Sequence, residues 1–214
     1  MPILDAARKF VASLKHHRDR QRRIQTDRSA QVLEQVFRYF PFTSEAQRWL
    51  RQNVRVEVLA PHSTTGGGGW HPDQRLVRLN TLQYEAAIHE LAHAVWHQRR
   101  RDRQVRDGLV SAVRRLAEDA DARWDRVRTL ARHYVYGIAT QPGFEHGMLL
   151  PRGEWGTGGG PQGKWNDWEM FAGLASGCMA DIRLLPPYLR RFYSDLFQEL
   201  PPNAPSPEAI EPHR

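Results

Sequence analysis

The chain has 214 residues, which is enough for one domain with a sizeable hydrophobic core. Hydrophobic residues make up 40% and charged residues 26%, as in soluble globular proteins, and no apolar run is long enough for a transmembrane helix. The net charge of +7 comes from arginine-rich clusters, which we interpret as solvated helix faces because no nucleic-acid-binding motif accompanies them, and the single cysteine, Cys178, excludes an internal disulfide.

Residues 1–53 are predicted to form an N-terminal helical region. Apolar residues recur at helical spacing in residues 1–24 and again in 29–40, and Thr43 or Ser44 is suited to cap a short third helix. The N-terminus lacks the continuous apolar segment of a secretory signal. We therefore expect a cytoplasmic protein that has no membrane partner.

Two short strands are predicted next. Valines alternate with polar residues in residues 54–59, and "RLVRLN" at 75–80 has a similar pattern. The segment between them is a loop by composition, with consecutive glycines at Gly66–Gly69. With the surrounding helices, these strands predict an α+β fold that is mostly helical and contains a small mixed β-sheet.

The segment "AAIHELAHAVWHQRRR", residues 86–101, carries an H-E-x-x-H motif on a predicted helix. Residues four apart lie on one face of a helix, so His89 and His93 are positioned to bind the same zinc ion. Glu90 lies about 100° further round the helix, where it would accept a proton from a water that zinc activates. His97 is excluded as a further ligand because it lies about 12 Å from His89 along the same helix.

Beyond this segment the chain is predicted to consist of helices and one long loop. An inserted helix is expected over residues 104–136, followed by a glycine-rich loop at 140–166. Two final helices are expected at 167–184 and 187–199, and the tail at 201–214 is proline-rich.

A catalytic zinc site needs a third protein ligand, and two glutamates compete for this role. Glu118 lies about 200° round its predicted helix from the buried Leu116, so we interpret it as a solvated surface residue. Glu169 comes one residue after the first member of the buried stripe on its own helix. His89 has the same position relative to the buried stripe of the motif helix, and this agreement favours Glu169 as the ligand. Asp167 is a weaker candidate and would otherwise cap the helix. Glu169 is the favoured ligand, with Glu118 as the alternative.

Several motifs together point to a known family. "HELAH", then "EMFAGLASG", then "LPPYLRRFYSDLF" resemble the catalytic domains of the anthrax lethal factor type, which include the secreted Pro-Pro endopeptidases. The glycine-rich segment "GGGGWHPDQRLVRLN" ahead of them is also similar to theirs. The resemblance covers about residues 54–98 and 166–198. It implies a zincin-like, gluzincin-type metallopeptidase domain at 54–200.

By this resemblance, one zinc ion per chain would be bound by His89, His93 and Glu169, and Glu90 would be the general base. The chain departs from the family pattern at Gln162, where the family has a tyrosine that stabilises the oxyanion. That hydrogen-bond donor would have to come from elsewhere in the chain. The candidates are Tyr134, Tyr136, His133 and His146.

The second predicted strand is expected to bind the substrate. In this kind of fold it would be an edge strand above the cleft, and an extended polypeptide would add to it as a further strand. The residues concerned are Arg75, Leu76, Val77, Arg78 and Leu79. The glycines at Gly66–Gly69 and the loop around Gly153–Gly163 would be mobile covers on either side of it or plain connectors.

These expectations predict a zinc-dependent endopeptidase that hydrolyses peptide bonds of an extended polypeptide. The alternative is a catalytically weak or inactive zincin-like domain that acts as a protein- or nucleic-acid-binding module. The tyrosine missing from the family pattern favours the alternative, and the retained Glu90 argues against it. Nucleic acid would then bind through the arginine-rich surfaces.

Overall fold

The computed structural model of this protein describes residues 30–59, 68–80, 83–136 and 167–205. Some predictions fall outside the described residues: the helix at 1–24, the loop at 140–166 with His146 and Gln162, and the tail beyond residue 205.

The described residues are mostly helical, and three short strands form one sheet, which confirms the predicted α+β class. The helices are α1 (30–39), α2 (Ser44–Asn53), α3 (Tyr84–Arg99), α4 (Arg103–Glu118), α5 (Asp125–Tyr136), α6 (Asp167–Gly177) and α7 (Pro187–Arg190). The strands are β1 (Arg55–Val58), β2 (Gly68–His71) and β3 (Leu76–Leu79). Thr43 caps α2, as predicted, because its side chain accepts a hydrogen bond from the backbone N–H of Ala46 at 3.1 Å. Among these described helices, none combines the length and apolar character needed to cross a membrane.

The strand order corrects two predictions. β3 lies between β1, to which it is parallel, and β2, to which it is antiparallel. Both sides of β3 are therefore already paired, and Arg75 lies just before this strand. The prediction of a substrate-binding edge is wrong for all five residues concerned, which are Arg75, Leu76, Val77, Arg78 and Leu79. The edge strand that packs against α3 is β2, which contains Gly68 and Gly69 from the segment predicted to be a loop. Strand pairing depends on tertiary contacts, so local composition alone does not reveal it.

The helix predicted over residues 104–136 is interrupted. The structure divides it into α4 and α5, which are joined by a short 3-10 turn. In this connection the Asp119 carboxylate accepts a hydrogen bond from the backbone N–H of Asp121, and the Asp121 carboxylate accepts one from that of Arg123. Short acidic side chains compete in this way with the helical hydrogen bonds of the backbone. The chain therefore turns, and α5 packs against α4.

The two C-terminal helices are shorter than predicted. The helix expected at 167–184 ends before Met179 and Ala180, whose left-handed conformations (φ 47° and 62°) cannot continue an α-helix. α7 covers only the first turn of the helix expected at 187–199, and the chain continues in turns.

α3 is the central element of the described fold, and it packs against α6, β2 and β3. A row of stacked aromatic rings runs from α3 through α6 into the C-terminal segment. Its members are Trp96, Phe171, Tyr193 and Phe197, with successive ring centroids 4.6, 4.5 and 6.5 Å apart. Phe197 also pairs with Phe42, so the residues before β1 contribute to the same hydrophobic core. This core sets the position of α6 relative to α3.

Candidate metal centre

Three side chains able to ligate a metal converge between α3 and α6. His89 Nε2 and His93 Nε2 are 3.1 Å apart. The two carboxylate oxygens of Glu169 lie 3.2 Å from His89 Nε2 and 3.3 Å from His93 Nε2. A tetrahedral zinc ion with bonds of about 2.0–2.1 Å holds its ligand atoms about 3.3 Å apart, so both the donor set and its spacing fit such an ion. The residues favoured by the sequence thus form a group that could hold a metal ion.

The other sequence candidates lie apart from this group. Within the described residues, no second group of histidine, cysteine or acidic side chains is arranged to hold a metal ion. Glu118 is exposed at the end of α4. His97 lies one turn beyond His93, between the rings of Trp70 and Trp168, with centroid distances of 6.4 and 5.2 Å. Burial lowers the pKa of His97, with smaller contributions from nearby arginines.

Asp167 begins α6 and uses its carboxylate for contacts with α3. The carboxylate accepts a hydrogen bond from Trp96 Nε1 at 2.8 Å and two from Arg100, through Nε and Nη2, also at 2.8 Å. Arg100 in addition lies over the ring of Trp168, 4.7 Å from its centroid. These contacts tie the first turn of α6, which carries Glu169, to the C-terminal end of α3.

The surroundings of the two histidines suit them to metal binding. Ser176 Oγ donates a hydrogen bond to the carbonyl oxygen of Ala172 and lies 3.5 Å from His89 Nδ1. A proton on His89 Nδ1 would point at this oxygen and would leave the Nε2 lone pair for a metal. Burial lowers the pKa of His93, which favours the neutral imidazole that metals bind. Burial alone would raise the pKa of Glu169, but hydrogen bonds from the two histidines outweigh it and hold that pKa well below its ordinary value.

Glu90 lies beside this group and is suited to act as a base. The residue is 5% exposed. Burial raises its pKa to about 7, against the opposing effect of His89, and the charge of Glu169 acts in the same direction as burial. Its Oε2 atom has no hydrogen-bond partner among the described residues. A carboxylate with a pKa near neutrality and an unpartnered oxygen can take up a proton at about pH 7.

Strand β2 makes two contacts with Glu90 that sequence reasoning missed. The backbone N–H of Trp70 donates a hydrogen bond to the Glu90 carboxylate, which helps to counter the rise in its pKa. Gly68 has φ 157°, and a Cβ added there would lie 2.5 Å from the carbonyl oxygen of Arg78 and 3.2 Å from Glu90 Cγ. Glycine is therefore required at this position. The turn residues "PDQR" between "GGWH" and "LVRL" are a hairpin signal that could have identified β2.

The candidates for an oxyanion donor are placed differently from one another. Tyr134 is buried, with its hydroxyl against Gly173 of α6 and without a hydrogen-bond partner among the described residues. His133 precedes it on α5 and is half-buried, and Tyr136 is the last residue of that helix. His146 lies outside the described residues.

Comparison of this chain with protein-family models, with curated proteins and with solved structures gave no match. The fold and the site together define a mostly helical α+β protein with a His-His-Glu group that could hold a metal ion. Any function must therefore be argued from the residues of this chain.

Proposed function

We propose that this protein is a zinc-dependent endopeptidase with a zincin-like domain, as its resemblance to the lethal factor type of catalytic domain implies. The observation that carries the proposal is the convergence of His89, His93 and Glu169, with Glu90 buried beside them. Two imidazoles and one carboxylate are a ligand set of catalytic zinc sites, which keep one position open for water. Imidazole donors favour zinc over magnesium or calcium, which prefer oxygen ligands.

The chemistry of each side chain follows from its position. A bound zinc ion would supply Lewis acidity and a water of lowered pKa. Glu90 would accept a proton from the attacking water and pass it to the leaving nitrogen of the peptide. Asp167 and Arg100 would hold Glu169 in place through their paired hydrogen bonds.

β2 would bind the substrate in place of β3. β2 pairs with β3 on one side, and its other side is an edge of the described sheet. An extended polypeptide pairing with this outer edge would lie next to Glu90, and the absence of side chains at Gly68 and Gly69 would let its backbone approach closely.

The test combines metal analysis of the purified protein with cleavage of a peptide library. The wild type should bind one zinc ion and cleave peptides. Glu90→Gln should keep the zinc and lose at least about 100-fold in cleavage rate, because only the base is removed. Unchanged turnover in this variant would refute the assigned mechanism.

Substitution of each of two glutamates tests the identity of the third ligand in the same zinc analysis. Glu169→Ala should lose the zinc, whereas Glu118→Ala, a matched control at an exposed helix end, should retain it. The opposite result would show that Glu118 is the ligand and that the arrangement proposed for α6 is wrong.

A second candidate function is a catalytically weak or inactive zincin-like domain that acts as a binding module. The observation that favours it is the buried hydroxyl of Tyr134, which is not placed to reach a substrate. Such a domain would bind zinc and peptides without cleaving them in the library assay. Nucleic acid is a less favoured partner, because many arginines pair with carboxylates: Arg51 with Glu34, Arg103 with Asp107, Arg123 with Asp121, Arg183 with Asp181, and Arg190 with Glu199.

A further inference from the structure

The side chain of Tyr134 reaches from α5 into the backbone of α6 at Gly173. A Cβ added at Gly173 would lie 1.8 Å from the Tyr134 hydroxyl oxygen and 2.4 Å from the ring carbon that bears it. The hydroxyl therefore occupies the space that a side chain at this position would fill. Gly173 is four residues after Glu169, so the two share one face of α6.

The Tyr134 hydroxyl is buried and has no hydrogen-bond partner among the described residues. A buried hydroxyl without a partner is destabilising, and native proteins rarely keep one that has no role. Burial raises the pKa of Tyr134, and the charge of Glu169 raises it further, so the phenol stays protonated and remains a donor. Glu169 lies one turn before Gly173 on the same face of α6, and its carboxylate is an acceptor for this donor.

We propose that Tyr134 is a positioning residue of the metal centre, whose hydroxyl donates a hydrogen bond to the Glu169 carboxylate when the centre holds its metal. This inference rests on the proposed zinc site. Both Glu169 oxygens face the Nε2 atoms of His89 and His93. Nitrogens engaged by a metal would no longer donate to the carboxylate, and the phenol would supply a donor to it in their place.

This role differs from that of an oxyanion donor. A hydroxyl that is buried against the backbone of α6 acts on the ligand Glu169 and does not touch the substrate. Its loss should therefore weaken metal binding itself, whether or not a peptide is present.

The experiment compares Tyr134→Phe with Tyr193→Phe. Both variants remove one buried hydroxyl, but that of Tyr193 already donates to a partner, the carbonyl oxygen of Phe171, at 3.1 Å. The measurements are the zinc Kd by chelator competition, the visible spectrum of the Co2+-substituted protein, and the Tm of the metal-free protein.

Tyr134→Phe should bind zinc about tenfold more weakly and shift the Co2+ absorption bands, while its metal-free Tm stays unchanged or rises. Tyr193→Phe should lower the metal-free Tm and leave zinc affinity and the Co2+ spectrum unchanged. Wild-type affinity and spectrum in Tyr134→Phe would overturn the inference, as would equal weakening in both variants. Failure of the wild type to bind zinc, or retention of zinc by Glu169→Ala, would instead overturn the proposed metal site and this inference with it.

Discussion

The backbone N–H of Trp70, on the edge strand β2, donates a hydrogen bond to the carboxylate of Glu90, on α3. The bond places the base of the proposed reaction directly beside the strand edge at which a substrate would add. It also supplies a fixed dipole to a carboxylate that is otherwise buried, which favours its ionised form. The sheet and the motif helix therefore contribute jointly to the site.

Gly68 should tolerate no larger residue, because it holds β2 close to Glu90. Its φ of 157° disfavours other residues, and an added methyl would lie 2.5 Å from the carbonyl oxygen of Arg78. We expect Gly68→Ala to lower the free energy of unfolding by about 1–3 kcal/mol and to reduce peptide cleavage. Urea unfolding and the library assay measure both effects.

Gly69→Ala is the matched control for this variant. The methyl group added there would meet only His71 Nε2, at 3.7 Å, which is an ordinary contact. Stability close to that of the wild type is expected. Equal losses of unfolding free energy in the two variants would show that flexibility of the glycine segment matters, rather than the close approach of Gly68 to Glu90.

Glu90 should link the stability of the metal-free protein to pH. Its pKa is about 7 in the fold and 4.5 in an ordinary glutamate, so over this interval the folded state keeps a proton that the unfolded state releases. The stability that this group contributes is complete below pH 4.5 and is lost as the pH rises through 7. Relative to Glu90→Gln, the chelator-treated wild type should lose at most about 3 kcal/mol of unfolding free energy between about pH 5 and pH 8. Parallel pH profiles in urea unfolding would contradict this expectation.

Much of the candidate site could be predicted because its key spacing is local. His89, Glu90 and His93 lie on one helix, where residue number alone sets the direction of each side chain. Glu169 could be favoured over Glu118 because residue number also gives the angle between each glutamate and the buried residues of its own helix. On α6 this angle is informative, because the buried residues of that helix pack against α3 in the core.

The rest of the site depends on contacts between segments distant in sequence. The edge position of β2 follows from its pairing with β3, and nothing within the glycine segment itself reveals that partner. Likewise, the two aspartates that separate α4 from α5 interrupt an apolar pattern that continues on both sides, at Leu116 and Val127. The fit of Tyr134 against Gly173 arises only once α5 and α6 have packed.

Asp167 should be sensitive to substitution because its buried carboxylate holds two donors at the C-terminal end of α3. Asp167→Ala would leave the Arg100 guanidinium and Trp96 Nε1 without their shared acceptor. The expected loss in unfolding free energy is about 2–3 kcal/mol, below that of a fully buried pair because the Arg100 side chain keeps 30% exposure. Zinc affinity should fall as well, since the first turn of α6 carries Glu169.

The exposed pair of Arg103 and Asp107 provides the control for that prediction. Its side chains are 84% and 58% exposed, so solvent screens the charges and Asp107→Ala should change stability little. Urea unfolding of both variants at one ionic strength makes the comparison. Similar losses in Asp167→Ala and Asp107→Ala would mean that the contacts of Asp167 do not anchor α6.

Replacing Gly173 with alanine should lower the free energy of unfolding, although the helical position alone would suggest a gain. Alanine normally stabilises a helix interior relative to glycine by about 0.5–1 kcal/mol. At Gly173 the added methyl would overlap the Tyr134 hydroxyl at 1.8 Å, so Gly173→Ala should instead destabilise by about 1–3 kcal/mol. Gly108→Ala, in α4, is the control, because its methyl would meet Phe192 Cζ at 3.4 Å and the ordinary helical gain should appear.

In a Tyr134→Ala background the penalty of Gly173→Ala should vanish, since the overlapping group is gone. Persistence of the full penalty in that double variant would show that α6 excludes a side chain there for a reason other than Tyr134.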